Sequence, residues 1–237
     1  MIVLVIPCYN EEKRLKLSEF NKYANSNLQF LFVDDGSKDN TKKIIEEATR
    51  QNPYIHLHAI TKNGGKASAV REGFLAVPAK FSLTANDWVG FWDADLATPL
   101  SEIEKMLRYG ETYGEVDSLW ASRIYRLGSH IERSALRHYL GRGFATVIAI
   151  LLKVKSYDSQ CGAKLFKAPL IQKAFQEPFT SNWVFDVEIL LRLHDKKIIE
   201  YPVTEWRDIP GSKVKVFREM GRVFMDILKI RKRYLED

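Results

Sequence analysis

The sequence predicts an α/β fold in which a mostly parallel central sheet is covered by helices on both faces. Short, wholly apolar segments recur along the first half of the chain, and segments of helical length separate them. Polar side chains follow directly after three of these apolar segments. Strands that are apolar throughout are typical of a parallel sheet buried on both faces, and such sheets bind ligands at the carboxyl ends of their strands.

The strands and helices of the first half follow from this alternation. The first strand is predicted at residues 2–6, which are all apolar and are followed by Pro7. Further strands are predicted at residues 28–33, 54–60, 88–92 and 116–121. Helices are predicted between them at residues 11–24, 40–51, 66–76 and 101–109. Because parallel strands need long crossover connections, this order favours parallel pairing.

The pattern changes after about residue 122. The predicted elements are a basic loop at 124–137, a helix at 134–154, a polar segment at 156–166, a helix at 181–194, a strand at 198–203, a basic loop at 211–215 and a helix at 216–235. No repeat, low-complexity segment or linker is visible. We therefore expect one domain over residues 1–237, with two functional halves that meet between residues 121 and 122.

Composition and charge leave several classes of ligand open. The chain has 237 residues and a formal net charge of +6, which suits a phosphate-rich ligand, an anionic lipid surface or nucleic acid. Its two cysteines, Cys8 and Cys161, lack metal-site spacing, so we expect reduced thiols in a cytosolic compartment. The N-terminal segment is predicted to be a strand and not a signal peptide. The longest apolar run, residues 143–152, is too short to span a membrane by itself.

Two carboxylates, Asp93 and Asp95, follow the predicted strand at 88–92 and flank a single alanine. Carboxylates so placed can hold a divalent cation that also contacts a diphosphate, and the cation neutralises charge on a departing nucleoside diphosphate. Such a pair also occurs in loops by chance. Its position at a strand end favours the functional interpretation.

Two further polar segments follow strands. Asp34 and Asp35 precede a helix and can accept hydrogen bonds from a nucleotide base or ribose, although a turn with Asp39 or Asn40 as helix cap is the alternative. Two glycines before Lys66 let the backbone approach a phosphate at a helix N-terminus; a tight turn is the alternative there. No glycine fingerprint of the GxGxxG type follows the first strand, which argues against a dinucleotide-dependent oxidoreductase.

Together these segments resemble the family 2 inverting glycosyltransferases with the GT-A fold. The segments that carry this resemblance are IPCYNEE, VDDGSKDNT, KNGGKASA and WDADLATP. The second half resembles the dolichyl-phosphate glucosyltransferase and polyprenyl-phosphate mannosyltransferase group, with the glucosyl branch closer. The segments that carry this second resemblance are DSQCGAKLF, WVFDVE, GSK and MGRVFMDILKIRKRYL. Three departures are Ala67, where glycine is usual, Ala97, where the mannosyl enzymes have glutamine, and Ala163, where an aromatic residue is usual.

The resemblance implies substrates, a metal and roles for individual residues. It implies a nucleotide sugar (UDP-glucose or GDP-mannose), a polyprenyl phosphate acceptor and Mg²⁺ or Mn²⁺. The nucleotide-binding residues would be Pro7, Tyr9, Glu11, Asp34, Asp35, Lys66 and Asp93. The metal would be held by Asp93 and Asp95, and the catalytic residues would be Asp95, Arg123 and Lys164. The acceptor phosphate would be bound by Arg137, Arg142 and Lys213. Residues 1–121 would then bind the nucleotide sugar, and residues 122–237 would face the acceptor and the membrane.

The second half also predicts a membrane surface. Residues 143–152 are apolar and are flanked by basic residues, and the last helix carries an apolar stripe with a basic end. Both features suit helices lying at an anionic lipid surface, although packing against the core is the alternative for each. We expect a peripheral protein on the cytoplasmic face of a membrane.

The acceptor decides whether a base is needed. A phosphate monoester is largely dianionic at neutral pH and needs no strong base, whereas a sugar hydroxyl would require one, with Asp186 or Glu188 as candidates. A glycosyltransferase for glycan acceptors, a nucleotidyltransferase and a non-catalytic sugar-nucleotide-binding protein are the alternatives. Nucleic-acid binding is disfavoured, because the basic residues flank apolar helices instead of alternating with exposed aromatics.

Overall fold

The computed structural model describes residues 1–133, 135–209 and 216–236, without the side chains of residues 135–137, 140 and 216–220. Within this part, the strands are β1 (Ile2–Cys8), β2 (Leu28–Asp35), β3 (Ile55–Ile60), β4 (Trp88–Trp92), β5 (Ser118–Ser122), β6 (His130–Glu132), β7 (Ala163–Lys167), β8 (Ile198–Pro202) and β9 (Glu205–Arg207). The helices are α1 (Leu17–Tyr23), α2 (Thr41–Gln51), α3 (Lys66–Lys80), α4 (Glu102–Glu111), α5 (Ala135–Leu152), α6 (Leu170–Phe175), α7 (Phe185–Arg192) and α8 (Val216–Leu235).

The central sheet has seven strands in the order β3-β2-β1-β4-β7-β5-β8. β1 lies between β2 and β4 and pairs with both in parallel, as the apolar character of these strands predicts. β7 pairs antiparallel with both β4 and β5. β6 and β9 form a separate parallel pair. The predicted α/β class with a mostly parallel, helix-covered sheet is thereby confirmed.

Side chains that alternate along the strands bury themselves on opposite faces of the sheet. On one face, Val5 and Phe91 pack with Phe74 of α3 and with α6 and α7. The rings of Phe74 and Phe175 stack there with centroids 3.8 Å apart. On the other face, Leu4 and Phe32 pack with α1, α2 and α4. The sheet is therefore the middle layer of three, and its strand ends are the places left open.

α5 and α8 pack against each other beside the sheet. Their shared core includes Ile148 on α5 and Ile227 on α8, together with Val187 of α7. Other apolar side chains of the pair point outward: Ile150 is 71% exposed and Met225 is 54% exposed. Among the helices that the structure describes, none is long and apolar enough to cross a membrane.

Several predicted boundaries were wrong. The first helix begins at Leu17 and not at residue 11, because Glu11 donates its backbone N–H to Thr41 Oγ1 (2.7 Å), which holds the preceding turn against the α2 N-terminus. The polar segment 156–166 contains most of β7, and the helix predicted at 181–194 is shortened to α7. α6, β6 and β9 were not predicted. The basic loop predicted at 211–215 lies outside the described residues.

Candidate active site

A pocket of about 360 Å³ opens at the carboxyl ends of β1, β2 and β4. The polar segments that follow these strands meet there because parallel strands end at one edge of the sheet. Most of the residues predicted to bind a nucleotide or metal line it, namely Pro7, Tyr9, Glu11, Asp35, Lys66, Asp93 and Asp95. Asp34 is the exception. It is buried beside Cys8 in the sheet register and does not line the pocket.

Asp93 and Asp95 lie on the turn that follows β4. The turn is tight, with Leu96 in the left-handed region at φ 54°. Asp93 forms an ion pair with Lys66, with 2.5 Å between Nζ and Oδ1. Asp95 accepts a hydrogen bond from the backbone N–H of Ala97 at 3.0 Å. Burial, together with the negative charge of Asp93, raises the pKa of Asp95. The turn therefore concentrates two carboxylates whose mutual repulsion a bound cation would relieve.

This carboxylate pair fits a divalent metal of a particular kind. Within the described part of the chain, no group of three or more His, Cys, Asp or Glu residues is placed to hold a metal. Mg²⁺ typically uses one or two carboxylates and completes its shell with water and substrate phosphates. Asp93 and Asp95 therefore match a cation that binds together with a diphosphate, and not a cation held by the protein alone.

Asp35 organises the loop on the opposite wall of the pocket. Its carboxylate accepts the backbone N–H groups of Gly64 and Gly65, both at 2.8 Å, and the side-chain amide of Asn63 at 2.9 Å. Gly65 has φ +88°, a conformation that side chains disfavour, and α3 begins at the next residue. These bonds direct the α3 N-terminus and Lys66 into the pocket, where backbone N–H groups and a positive charge favour phosphate.

Arg14 is a pocket residue that the sequence interpretation missed. It lines the pocket and donates to Glu11, with 2.8 Å from Nε and 2.5 Å from a terminal nitrogen. The hydrogen bond that Arg14 donates to Glu11, and to a smaller extent the charge of Asp95, raises the pKa of Arg14, although burial acts to lower it. The sequence signal for this pair is the spacing of three residues between Glu11 and Arg14. The helix predicted at residues 11–24 accounts for that spacing equally well.

A second, smaller cleft is lined by three arginines, Arg123, Arg133 and Arg142. Arg123 makes a bidentate ion pair with Asp158, at 2.6 and 2.7 Å. Although burial opposes it, the charge and hydrogen bonds of Arg123 lower the pKa of Asp158 to about 2. The guanidinium of Arg142 lies 3.7 Å from the ring centre of Tyr157. Since Asp158 also lines the cleft and is paired with Arg123, its net positive charge comes from Arg133 and Arg142.

Arg133 was not predicted, although it belongs to the basic segment 124–137. Burial, followed by the charge of Arg123, lowers its pKa. The charges of Asp158 and Asp208 act in the opposite direction and do not outweigh these two effects. An incoming anion would relieve the repulsion between these arginines. The side chain of Arg137 and all of Lys213, both predicted to bind the acceptor phosphate, lie outside the described residues.

Lys164, predicted to be catalytic, lines neither cleft. Its side chain is fully buried in β7, with Nζ 2.7 Å from Asp186 and 2.5 Å from the carbonyl oxygen of Cys161. The two candidate bases are also engaged. Asp186 faces Lys164, and Glu188 accepts the backbone N–H of Thr180 at 2.6 Å. Neither acid lines the larger pocket or the arginine-lined cleft.

Comparison with known proteins agrees with this geometry. Residues 3–175 match the family described as "Glycosyl transferase family 2". The chain is 32% identical to a dolichyl-phosphate beta-glucosyltransferase of Saccharomyces cerevisiae, over 98% of this chain and 74% of that protein. It is 31% identical to the Homo sapiens protein of the same name, over 98% of this chain and 75% of that protein.

Solved structures resemble the fold at low sequence identity. The crystal structure of glucosyl-3-phosphoglycerate synthase from Mycobacterium tuberculosis with Mn²⁺, UDP and phosphoglyceric acid superposes with a TM-score of 0.67 at 16% identity, covering 99% of this chain and 78% of that one. TarS of S. aureus with UDP-GlcNAc gives a TM-score of 0.61 at 16% identity, covering 100% of this chain and 68% of that one. The fold is thus of the GT-A type. With a family match that spans most of its length and a carboxylate pair at the strand ends, the chain belongs to glycosyl transferase family 2.

Proposed function

We propose that this glycosyltransferase transfers glucose from UDP-glucose to a polyprenyl phosphate, with inversion at the anomeric carbon. The observation that carries the proposal is the pairing of an acidic pocket with a separate arginine-lined cleft. Although burial acts to lower the pKa of Arg123, the charge of Asp158 and, to a smaller extent, that of Asp93 raise it, so the two sites lie within electrostatic range of each other. The dolichyl-phosphate beta-glucosyltransferases to which the chain is similar support this choice of sugar and acceptor.

In this proposal the larger pocket holds the donor. Asp93 and Asp95 would hold a Mg²⁺ or Mn²⁺ ion, which neutralises charge on the diphosphate when bound. Lys66, which forms an ion pair with Asp93, and the N-terminal N–H groups of α3 would contact the diphosphate beside it. Tyr9 and Glu11 line the same pocket and would contact the nucleoside.

The arginine-lined cleft would hold the acceptor phosphate. Guanidinium groups bind phosphate oxygens with paired hydrogen bonds. A dianionic phosphate oxygen would then attack the anomeric carbon while the bond from that carbon to the UDP oxygen breaks. UDP leaves with the bonding electrons, and the developing charge is stabilised by Lys66. No side chain has to remove a proton, so catalysis consists of positioning and charge stabilisation.

α5 links the arginine-lined cleft to a membrane surface in the same proposal. It supplies Arg142 and Ile148 to the wall of the cleft, and its Ile150 points outward. A polyprenyl tail stays in the bilayer, so an acceptor site needs an apolar surface nearby. We therefore propose that the exposed faces of α5 and α8 lie on the cytoplasmic surface of a membrane.

The test is a transfer assay with purified protein, Mn²⁺ or Mg²⁺, and radiolabelled UDP-glucose or GDP-mannose, with and without polyprenyl phosphate. Label from UDP-glucose should enter the organic phase only when polyprenyl phosphate is present. Asp95→Ala should reduce the rate by at least about 100-fold, a size typical for loss of one transition-state contact. Glu104→Ala, an exposed acid on α4, is the matched control and should keep the wild-type rate.

Other outcomes separate the alternatives. Transfer of mannose from GDP-mannose would preserve the mechanism and replace the sugar. Transfer to a soluble glycan without polyprenyl phosphate would overturn the acceptor. Donor binding without transfer to any acceptor would favour a sugar-nucleotide-binding protein.

A further inference from the structure

We propose that Lys164 and Asp186 are positioning residues for the donor site. As a buried ion pair behind Asp93, they hold the turn on which the Asp93 carboxylate rests. The inference rests on the proposed donor site. It gives a role to two buried charges that take no part in the proposed transfer step. Both residues act through the backbone of residues 161–162 and touch no substrate.

The ion pair is fixed tightly. The side chain of Lys164 is 0% exposed and that of Asp186 is 7% exposed. Besides facing Asp186 at 2.7 Å, Lys164 Nζ donates to the carbonyl oxygen of Cys161 at 2.5 Å. The ring centres of Trp120 and Phe91 lie 4.5 and 4.9 Å from the same ammonium. The carboxylate of Asp186, the carbonyl oxygen of Cys161 and the two aromatic rings therefore hold the Lys164 ammonium in place.

The contact continues through Gly162 to Asp93. The Asp93 backbone N–H donates to the carbonyl oxygen of Gly162 at 2.9 Å. A Cβ atom at residue 162 would lie 1.8 Å from Asp93 Oδ2, so the carboxylate rests directly on the glycine. Any shift of the turn that Lys164 holds is therefore passed to the Asp93 carboxylate.

Lys66 is connected to the same group of charges. Its Nζ lies 5.8 Å from the ring centre of Phe91, which is the ring that Lys164 also contacts. Although burial acts to lower it, the charges of Asp93 and then of Asp186 raise the pKa of Lys66. Asp186 therefore stabilises the positive charge of Lys66 as well as that of Lys164.

Stability alone does not account for this pair. A buried ion pair is often no more stabilising than apolar residues of similar volume. Asp186 Oδ1 moreover faces Lys164 without the orientation of a hydrogen bond, and the described residues offer that oxygen no other partner. What connects the pair to the site is the hydrogen bond from Lys164 to the carbonyl oxygen of Cys161, next to the glycine on which the Asp93 carboxylate rests.

The experiment removes both charges while keeping the volume. Lys164→Met combined with Asp186→Leu should leave the melting temperature near that of the wild type, because both members of the pair are replaced by apolar groups. The dissociation constant of Mn²⁺ in the presence of UDP, measured from the electron paramagnetic resonance signal of free Mn²⁺, should rise about 10- to 100-fold, as it does when residues that orient metal ligands are lost. Asp186→Asn, which keeps the shape, is the second variant and should raise the constant in the same direction.

Two controls separate positioning from general destabilisation. Glu188→Gln alters a buried acid on the same helix whose partners include Thr180 and Tyr234, so it should lower the melting temperature and leave Mn²⁺ affinity unchanged. Asp93→Ala should abolish Mn²⁺ binding. If it does not, the proposed donor site fails. If Asp93→Ala acts as expected but either folded variant of the Lys164–Asp186 pair binds Mn²⁺ as tightly as the wild type, the positioning inference alone is overturned.

Discussion

Two carboxylates in this protein, the half-buried Asp95 and the fully buried Glu102, have opposite relations to stability. Asp95 at the site is destabilised as an anion, because burial and the neighbouring charge of Asp93 raise its pKa. Glu102 at the start of α4 is the reverse case. Although burial acts to raise its pKa, hydrogen bonds from Lys105, Thr204 and Tyr201 lower it. Asp95 can therefore still bind a ligand. The oxygens of Glu102 instead accept hydrogen bonds that hold α4 to Tyr201 on β8 and to Thr204 between β8 and β9.

Glu102→Gln should therefore destabilise the fold without touching the site. The carboxylate accepts hydrogen bonds from Thr204 N at 2.8 Å and from Tyr201 Oη at 3.0 Å. Replacing it should lower the free energy of unfolding at pH 7 by about 1–3 kcal/mol, the range for disturbing a buried hydrogen-bonding group. Urea denaturation followed by circular dichroism measures this difference.

The effect of Glu102→Gln should depend on pH in a defined direction. Because the folded pKa of Glu102 is lowered, its stabilisation is complete above the unfolded pKa of about 4.3 and is lost as pH falls through the folded pKa. The gap between wild type and variant should close in that acid window. A gap that widens on acidification would contradict the assignment. Glu104→Gln, an exposed neighbour on α4, should change little at any pH.

At single residues, the sequence identified the acids of the site better than its bases. Asp35, Asp93 and Asp95 could be predicted because each follows a strand, and parallel strand ends converge. Arg133 and Arg14 could not be separated from the many solvated basic residues of the chain. The burial of Lys164 was hidden as well, since its environment comes from a strand pairing that no local pattern shows.

At the scale of elements, the first half followed its sequence pattern closely and the second half did not. β7 was missed because its segment is short and contains two lysines, which disfavour a buried central strand in a sequence interpretation. It is central all the same, since Lys164 is neutralised by Asp186 and Lys167 lies at the strand end with its Nζ bound to the carbonyl oxygen of Asn86. Whether a lysine is buried beside an opposite charge depends on the tertiary structure, so a local sequence pattern does not show it.

The outward faces of α5 and α8 lead to a prediction about membranes. Ile150→Glu combined with Met225→Glu should reduce binding to vesicles that contain phosphatidylglycerol by about tenfold or more, since each buried aliphatic side chain contributes ~1.5–3 kcal/mol. The melting temperature should stay unchanged because both side chains are exposed. Cosedimentation with vesicles measures the bound fraction.

A matched substitution elsewhere controls for added negative charge. Tyr23 on α1 is 37% exposed, and Tyr23→Glu adds one carboxylate outside the two helices. It should bind vesicles like the wild type. Equal binding by the α5–α8 variant and the wild type would show that these faces do not contact lipid.

At the scale of the whole molecule, the two halves of the chain share one sheet. β7 and β8 come from the second half, and β7 lies between β4 and β5 of the first. This interleaving supports the proposal of a single domain over residues 1–237. It also means that a ligand held by Asp93 stabilises both halves, because β4 ends at the turn that β7 supports.

Mn²⁺ with UDP should therefore raise the temperature of one cooperative unfolding transition. At about 100 times the dissociation constant, binding adds ~2.7 kcal/mol, which corresponds to roughly 5–10 °C in a domain of this size. Scanning calorimetry measures the shift. Asp95→Asn should show no shift with the same ligands. Two separate transitions, of which only one moves, would contradict the single-domain proposal.

The antiparallel insertion of β7 also has a consequence for the order in which the chain can fold during synthesis. Until residue 167 has left the ribosome, β4 has no partner on its outer side, and the unpaired N–H and C=O groups of that edge are open to pairing with another chain. The wall beneath Asp93 does not exist at that stage either. A nascent chain of the first half alone is thus expected to be prone to association and unable to bind donor, so that competence for the ligand and protection of the edge arrive together.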